Sequence, residues 1–163
     1  METIKCYHAR RVELVIETEP YQTYYQGPII APLIATIESK EENLENIWDC
    51  CNNGRWWDNK DFRKMTNYQD KFKVNFTKDY LGYCNSDLIV EMNNMFYVAK
   101  SFGWKKTNSF DKAVKYCKEN AMWCQLHSKN TQYPTGQEYT LEELNKFKKE
   151  YENKGFECFL INK

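Results

Sequence analysis

Apolar residues recur along this chain with two periods, 3.6 and 2, and the order in which they alternate is what most limits the fold. Three stretches carry the helical period: Leu44, Ile47, Trp48 and Cys51; Phe110, Ala113, Val114 and Cys117; and Leu144, Phe147 and Tyr151. Ser39-Lys40-Glu41-Glu42 and Thr140-Leu141-Glu142-Glu143 both have the S/T-x-x-E form, in which the first side chain and the acid satisfy each other's backbone donors. These boxes mark the starts of the first and third helices, and Asn108 or Ser109 marks the start of the second. Gly155 is the natural stop of the third, because glycine adopts the left-handed conformation at no steric cost.

The other period belongs to strands. Val12, Leu14 and Ile16 alternate with Glu13 and Glu17, and Phe72, Val74 and Phe76 alternate with Lys71, Lys73, Asn75 and Thr77. Leu88–Met92 and Met95–Ser101 flank Asn93-Asn94, a pair that tolerates the positive φ of a two-residue hairpin. Leu33–Ile37 reads as a strand pushed to an edge by Pro28 and Pro32, and the run Phe156–Ile161 reads as a mostly buried one. No regular βαβ rhythm joins these elements. The expected class is α+β, a mixed or mainly antiparallel sheet packed against about three helices, in one domain over 1–163.

The first two helical stretches echo each other at an offset of 66 residues, in Leu44/Ile47/Trp48/Cys51/Trp57 and Phe110/Ala113/Val114/Cys117/Trp123. A strand-like run precedes each one. A duplication would give two similar strand–helix halves with both helices on one face of a sheet; shared amphipathic spacing gives the same echo without one.

Charge removes several classes of function. The chain has 23 basic and 23 acidic residues, which speaks against a strongly basic duplex-DNA binder and against an acidic mimic of DNA. The charges are segregated, however: 55–78 holds seven bases against three acids, and 100–118 holds six lysines against Asp111. Lys105-Lys106 are expected in a turn, and Lys112, Lys115 and Lys118 on a solvated helix face. No apolar stretch is long enough to span a bilayer, so no membrane partner is expected. Seven cysteines at irregular spacing, with no CxxC, read as reduced thiols of a cytoplasmic protein.

Familiar catalytic motifs are missing from the sequence, and no cofactor is implied. Two weaker chemical readings remain. Cys6 with His8, and Cys124 with His127, supply four ligand types that suit a tetrahedral zinc site. Cys84, in a loop-like Gly82–Asp87 stretch, is the candidate for an exposed nucleophilic thiol. Against both stands the reading of small, inert core thiols.

The most unusual stretch is Cys51–Asp58, where Asn-Gly ends a helix and Arg55, Trp56 and Trp57 follow. Adjacent side chains of an extended segment point to opposite sides, so one tryptophan can fill the core while the other meets solvent. Tryptophan beside arginine has the composition of a protein–protein hot spot. With Lys60, Arg63 and Lys64 close behind, it also resembles a stacking platform for single-stranded nucleic acid. Gly54-Arg55-Trp56-Trp57-Asp58 resembles the G-x-W-x-D turn of antirestriction proteins; those chains are strongly acidic, this one is neutral, and no residue role is carried over. The expected function is a non-catalytic interaction protein, an accessory or inhibitory factor of a virus or mobile element that recognises a host protein. The expected binding residues are Arg55, Trp56, Trp57, Lys60, Arg63 and Lys64. The alternatives are a single-stranded nucleic-acid binder and a small Cys/His thiol or metal enzyme.

Overall fold

The computed structural model describes residues 2–39, 43–52, 72–82, 84, 87–100, 102–120 and 131–162. Its class is α+β. The strands are β1 Glu2–His8, β2 Arg10–Glu17, β3 Gln22–Ile30, β4 Leu33–Ser39, β5 Phe72–Phe76, β6 Leu88–Met92, β7 Met95–Ala99, β8 Trp104–Thr107, β9 Thr131–Gln132 and β10 Cys158–Asn162. The helices are α1 Leu44–Asn52, α2 Phe110–Asn120 and α3 Leu141–Asn153. Contacts divide the chain into two compact units. Unit 1 comprises Met1–Ala9 and Ala31–Asn120, and unit 2 comprises Arg10–Ile30 and Ala121–Lys163.

Unit 1 is built on a six-stranded sheet of order β5-β4-β1-β6-β7-β8, antiparallel throughout. Strand alternation sends Ile4, Cys6, Ile37 and Val90 to one face, where they share a core with Ile47, Cys50 and Cys51 of α1. Tyr7, Ile89, Phe96 and Val98 point the other way. There Phe110 of α2 meets Tyr7 at 4.9 Å and Phe96 at 5.9 Å between ring centroids. The two helices therefore cover opposite faces of the sheet, not one face as a duplication would require. Moreover, β4 runs directly into α1, whereas β8 lies between β7 and α2. The echo of 66 residues follows the spacing that any helix needs against a sheet, and the order of elements does not repeat.

Local signals explain most of the boundaries. Asn93 and Asn94 have φ of 56° and 59°, both left-handed, which matches the turn to the twist of β6 and β7. Ser109 opens α2, its Oγ accepting the Lys112 N–H at 3.1 Å. The start of α1 differs from expectation: Ser39 is the last residue of β4 and is buried, and Asn43 caps instead, its Oδ1 accepting the Asn46 N–H at 3.2 Å. The helix begins only at Leu44, so Asn43 and not Ser39 stands at the N-cap position.

β4 also differs from expectation, since it lies between β5 and β1 and not at an edge. Pro32 precedes the strand and removes no ladder bond from it. Pro28 belongs to β3, where Gln26 and Ile29 face Glu13 and Arg11, so it falls at the irregularity that absorbs its missing N–H.

Unit 2 holds a four-stranded sheet of order β10-β2-β3-β9, in which only the short β9 runs parallel to its neighbour. Val12, Leu14 and Ile16 face α3 and bury Leu144 completely. Gly27 allows this close approach: a Cβ there would meet Leu144 Cδ1 at 2.5 Å and the Val12 carbonyl oxygen at 2.8 Å. Around Leu144 the contact is aromatic, with Tyr25 within 5.4 Å of Phe147 and 5.6 Å of Tyr139 between ring centroids.

The capping box of α3 forms as read, with Thr140 and Glu143 exchanging bonds of 3.2 and 3.1 Å. At the other end Lys154 is the cap and Gly155 follows it with φ of 92°. Gly155 N–H donates to Glu152 O and Phe156 N–H to Tyr151 O, and the Phe156 ring packs on Tyr151 at 5.8 Å. That is a complete Schellman stop with its hydrophobic contact. The strand after it, β10, is an edge strand; Phe159 and Leu160 remain exposed although the run is apolar in sequence.

Candidate functional site

Arg55, Trp56, Trp57, Lys60, Arg63 and Lys64 lie outside the described residues, as do Cys124 and His127. What the structure describes are the two elements that flank the 53–71 stretch in the chain, α1 and β5. At its start, α1 is pinned by its last turn. Tyr80 OH donates to the Cys51 carbonyl, Cys84 N–H donates to Asn52 Oδ1 at 3.0 Å, and Asn52 Nδ2 donates to Trp48 O at 3.0 Å. At its end, β5 is locked to β4 from Phe72↔Ser39 to Phe76↔Ala35.

The described part of unit 1 also presents an aromatic side chain that sequence reading missed. Phe102, between β7 and β8, is 93% exposed. The turn is closed by Lys100 N–H donating to Gly103 O at 3.0 Å, with Gly103 at φ of 85°. Lys100, Lys105 and Lys106 are exposed around it. Lys105 and Lys106 were expected in a turn; they belong to β8 and pair with Val98 and Tyr97. The turn forms one step earlier because Gly103 supplies the positive φ. Lys106 Nζ stands 5.8 Å from the Tyr97 ring centroid. On the same edge the Trp104 indole donates to Glu45 Oε1 of α1 at 3.0 Å. Lys112, Lys115 and Lys118 are exposed on α2, as their spacing implied.

The thiols occupy different ground. Cys6, Cys50, Cys51 and Cys84 are all fully buried and belong to one core cluster. Cys84 is therefore not the exposed loop thiol expected from sequence: its N–H is tied to α1, and that tie carries the side chain into the core. The Cys6 and Cys84 thiols donate to Cys51 and lower its pKa against the effect of burial, while the Cys51 bond and burial raise that of Cys6. Burial pushes Cys117 on α2 up to about 12. A buried thiol whose pKa is raised, as at Cys6 and Cys117, is of the inert kind.

Cys6 and His8 do share a face of β1, both buried, as a period of two requires. Yet among the described residues no three His, Cys, Asp or Glu side chains are placed to hold a metal ion.

Two buried charges of unit 2 have structural partners. Arg11 Nη1 donates to Gly27 O at 2.8 Å and stands 3.6 Å from Glu138 Oε2, and Glu13 accepts from the Tyr133 hydroxyl at 3.2 Å. Arg11 thus ties β2 to the glycine that admits α3. No described helix is long and apolar enough to cross a membrane.

Together these features define a chain of the α+β class whose described thiols are mostly in its core and whose described aromatic and basic display lies at a hairpin tip. Comparison with protein families, with curated proteins and with solved structures returns no match to this chain.

Proposed function

We propose that this chain is a non-catalytic interaction protein that binds a protein partner through an aromatic and basic surface of unit 1. Arg55, Trp56 and Trp57 form its centre, and Lys60, Arg63 and Lys64 extend it. As an accessory or inhibitory factor of a virus or mobile element working in the cytoplasm, it would take a host protein as that partner.

The observation that carries this reading is Phe102, 93% exposed among Lys100, Lys105 and Lys106. Leaving a phenylalanine side chain in water forgoes roughly 1.5–3 kcal/mol of burial. A partner that covers the ring recovers that energy, and the lysines around it add steering and selectivity at the rim. The 53–64 stretch repeats this combination of large rings and cations.

Affinity capture with the whole chain as bait, with and without nuclease, tests the reading. A stoichiometric protein should be retained after nuclease. Capture should fall at least about tenfold in Trp56→Ala/Trp57→Ala and in Phe102→Ser, as expected for hot-spot residues. Retention only without nuclease would transfer the surface to single-stranded nucleic acid.

A further inference from the structure

We infer that Cys51 and Cys84 form an oxidation site: a small hydroperoxide converts this pair of core thiols into a disulfide, with Cys6 as the thiol that prepares Cys51. This stands independently of the partner-binding reading above.

The placement of the sulfurs gives the first part of the argument. Cys6 of β1, Cys50 and Cys51 of α1, and Cys84 are fully buried in one cluster of unit 1. Within it the thiols of Cys6 and Cys84 both donate to the Cys51 sulfur. Two sulfurs that share a hydrogen bond need only a small shift to reach the roughly 2.05 Å of a disulfide. An acceptor of two S–H bonds is also stabilised as the thiolate. At Cys51 that effect outweighs burial and holds the thiol well below its ordinary range. Burial pushes Cys50 the other way, so the end of α1 sets two adjacent thiols apart in reactivity.

The backbone selects the partner. Cys6 is held in ladders on both sides, facing Ala35 of β4 and Val90 of β6. Cys84 belongs to no helix or strand, and its N–H donates to Asn52 Oδ1 at 3.0 Å, on the residue that follows Cys51. Cys84 is therefore the donor that lies beside Cys51 without being fixed in a sheet.

Access selects the oxidant. Cys51 is covered, but Asn52 is only half-buried, so the sulfur stands next to a residue that solvent reaches. Local opening at that helix end admits a hydroperoxide and excludes a bulky disulfide. The Cys51 thiolate attacks one peroxide oxygen; an S–O bond forms, the O–O bond breaks, and the leaving alkoxide takes a proton from solvent. Cys51 is then a sulfenic acid. The Cys84 sulfur attacks the Cys51 sulfur, the S–O bond breaks, and hydroxide leaves with the Cys84 thiol proton as water. Two thiols and one hydroperoxide give one disulfide, one alcohol and one water, the alcohol being a second water when the oxidant is hydrogen peroxide.

Treatment of the reduced full chain with hydrogen peroxide should lower its intact mass by about 2 Da, the loss of two hydrogens. Peptide mapping should place the bridge between Cys51 and Cys84. Exposure alone would instead direct oxidation to Cys158, which is not fully buried. Cys84→Ser should leave Cys51 as a sulfenic acid that dimedone captures. Cys6→Ala should slow bridge formation at least about tenfold at pH 7 and move the rate profile to higher pH. If either variant fails to fold, mapping of the unaltered chain still decides. No loss of mass, a bridge from Cys51 to Cys6, or oxidation of Cys158 ahead of Cys51 overturns the inference. So does a bridge that forms as readily with glutathione disulfide as with hydrogen peroxide.

Discussion

Units 1 and 2 solve the problem of covering a sheet in different ways. In unit 1 both faces are covered, one by α1 with Ile47, Cys50 and Cys51 and the other by α2 with Phe110. Its core is aliphatic and thiol-rich, and its outer strands carry lysine. In unit 2 the α3 face sets Val12, Leu14 and Ile16 against Leu144 with rings packed around them, and Tyr25 and Tyr151 are joined at 3.1 Å between hydroxyl oxygens. Its outer strand β10 is apolar and exposed. Among the described residues the most exposed large apolar side chain of unit 1, Phe102, stands at a turn tip, whereas that of unit 2, Phe159, lies on an edge strand. A tip offers a side chain to a partner, whereas an edge offers backbone.

The contrast breaks most readily at Gly27. Gly27→Val places carbon where Leu144 Cδ1 and the Val12 carbonyl already sit, so α3 must lift from β2 and β3. The expected loss is about 3 kcal/mol of unfolding free energy in a urea titration, with α3 amides losing protection first. Equal loss of protection at β1 and β6 would erase the distinction between the units.

Thr140→Ala acts on the same helix more gently. It removes the bond to the Glu143 N–H and should cost about 1 kcal/mol in the same titration. No change would mean that ring packing alone holds the first turn.

An effect of similar size, but dependent on pH, belongs to unit 1. Burial raises Asp87 to about 6, so the folded chain keeps a proton that the unfolded chain releases. The contribution is complete below about pH 4, where both states are protonated, and is lost as pH rises through about 6. Asp87 is partly solvated, so the loss amounts to about 1 kcal/mol after allowance for screening. Asp87→Asn should flatten the fall in stability over that window; an unchanged slope would assign it to other groups.

Sequence made legible those features whose cause is local. The Thr140 box, the Asn93-Asn94 turn, the Gly155 stop and the alternation of β5 each depend on a few neighbouring residues. What it obscured depends on residues far apart in the chain. Ser39 has the pattern of a cap but is held in a ladder with Glu2 and Phe72. Cys84 looks like a loop thiol until Asn52 draws it into the core. The apolar run of β10 predicted burial, because composition cannot say whether a second strand lies beyond it. Gly27 gave no local signal, since its reason is the side chain of Leu144. One of the crossings between the units falls between Ala9 and Arg10, within a nearly continuous strand pattern, so the sequence marks no boundary there. Of the candidate site, sequence supplied the residues at 55–64 and missed Phe102, which only the turn at Gly103 brings out.

One measurement tests the assignment of the binding surface most directly: capture of a stoichiometric protein by three baits run side by side. These are the unaltered chain, Trp56→Ala/Trp57→Ala and Phe102→Ser. Binding should persist with the unaltered chain and be lost in the two aromatic variants. Recovery of no stoichiometric protein, or capture that survives both aromatic variants, would contradict the proposed function.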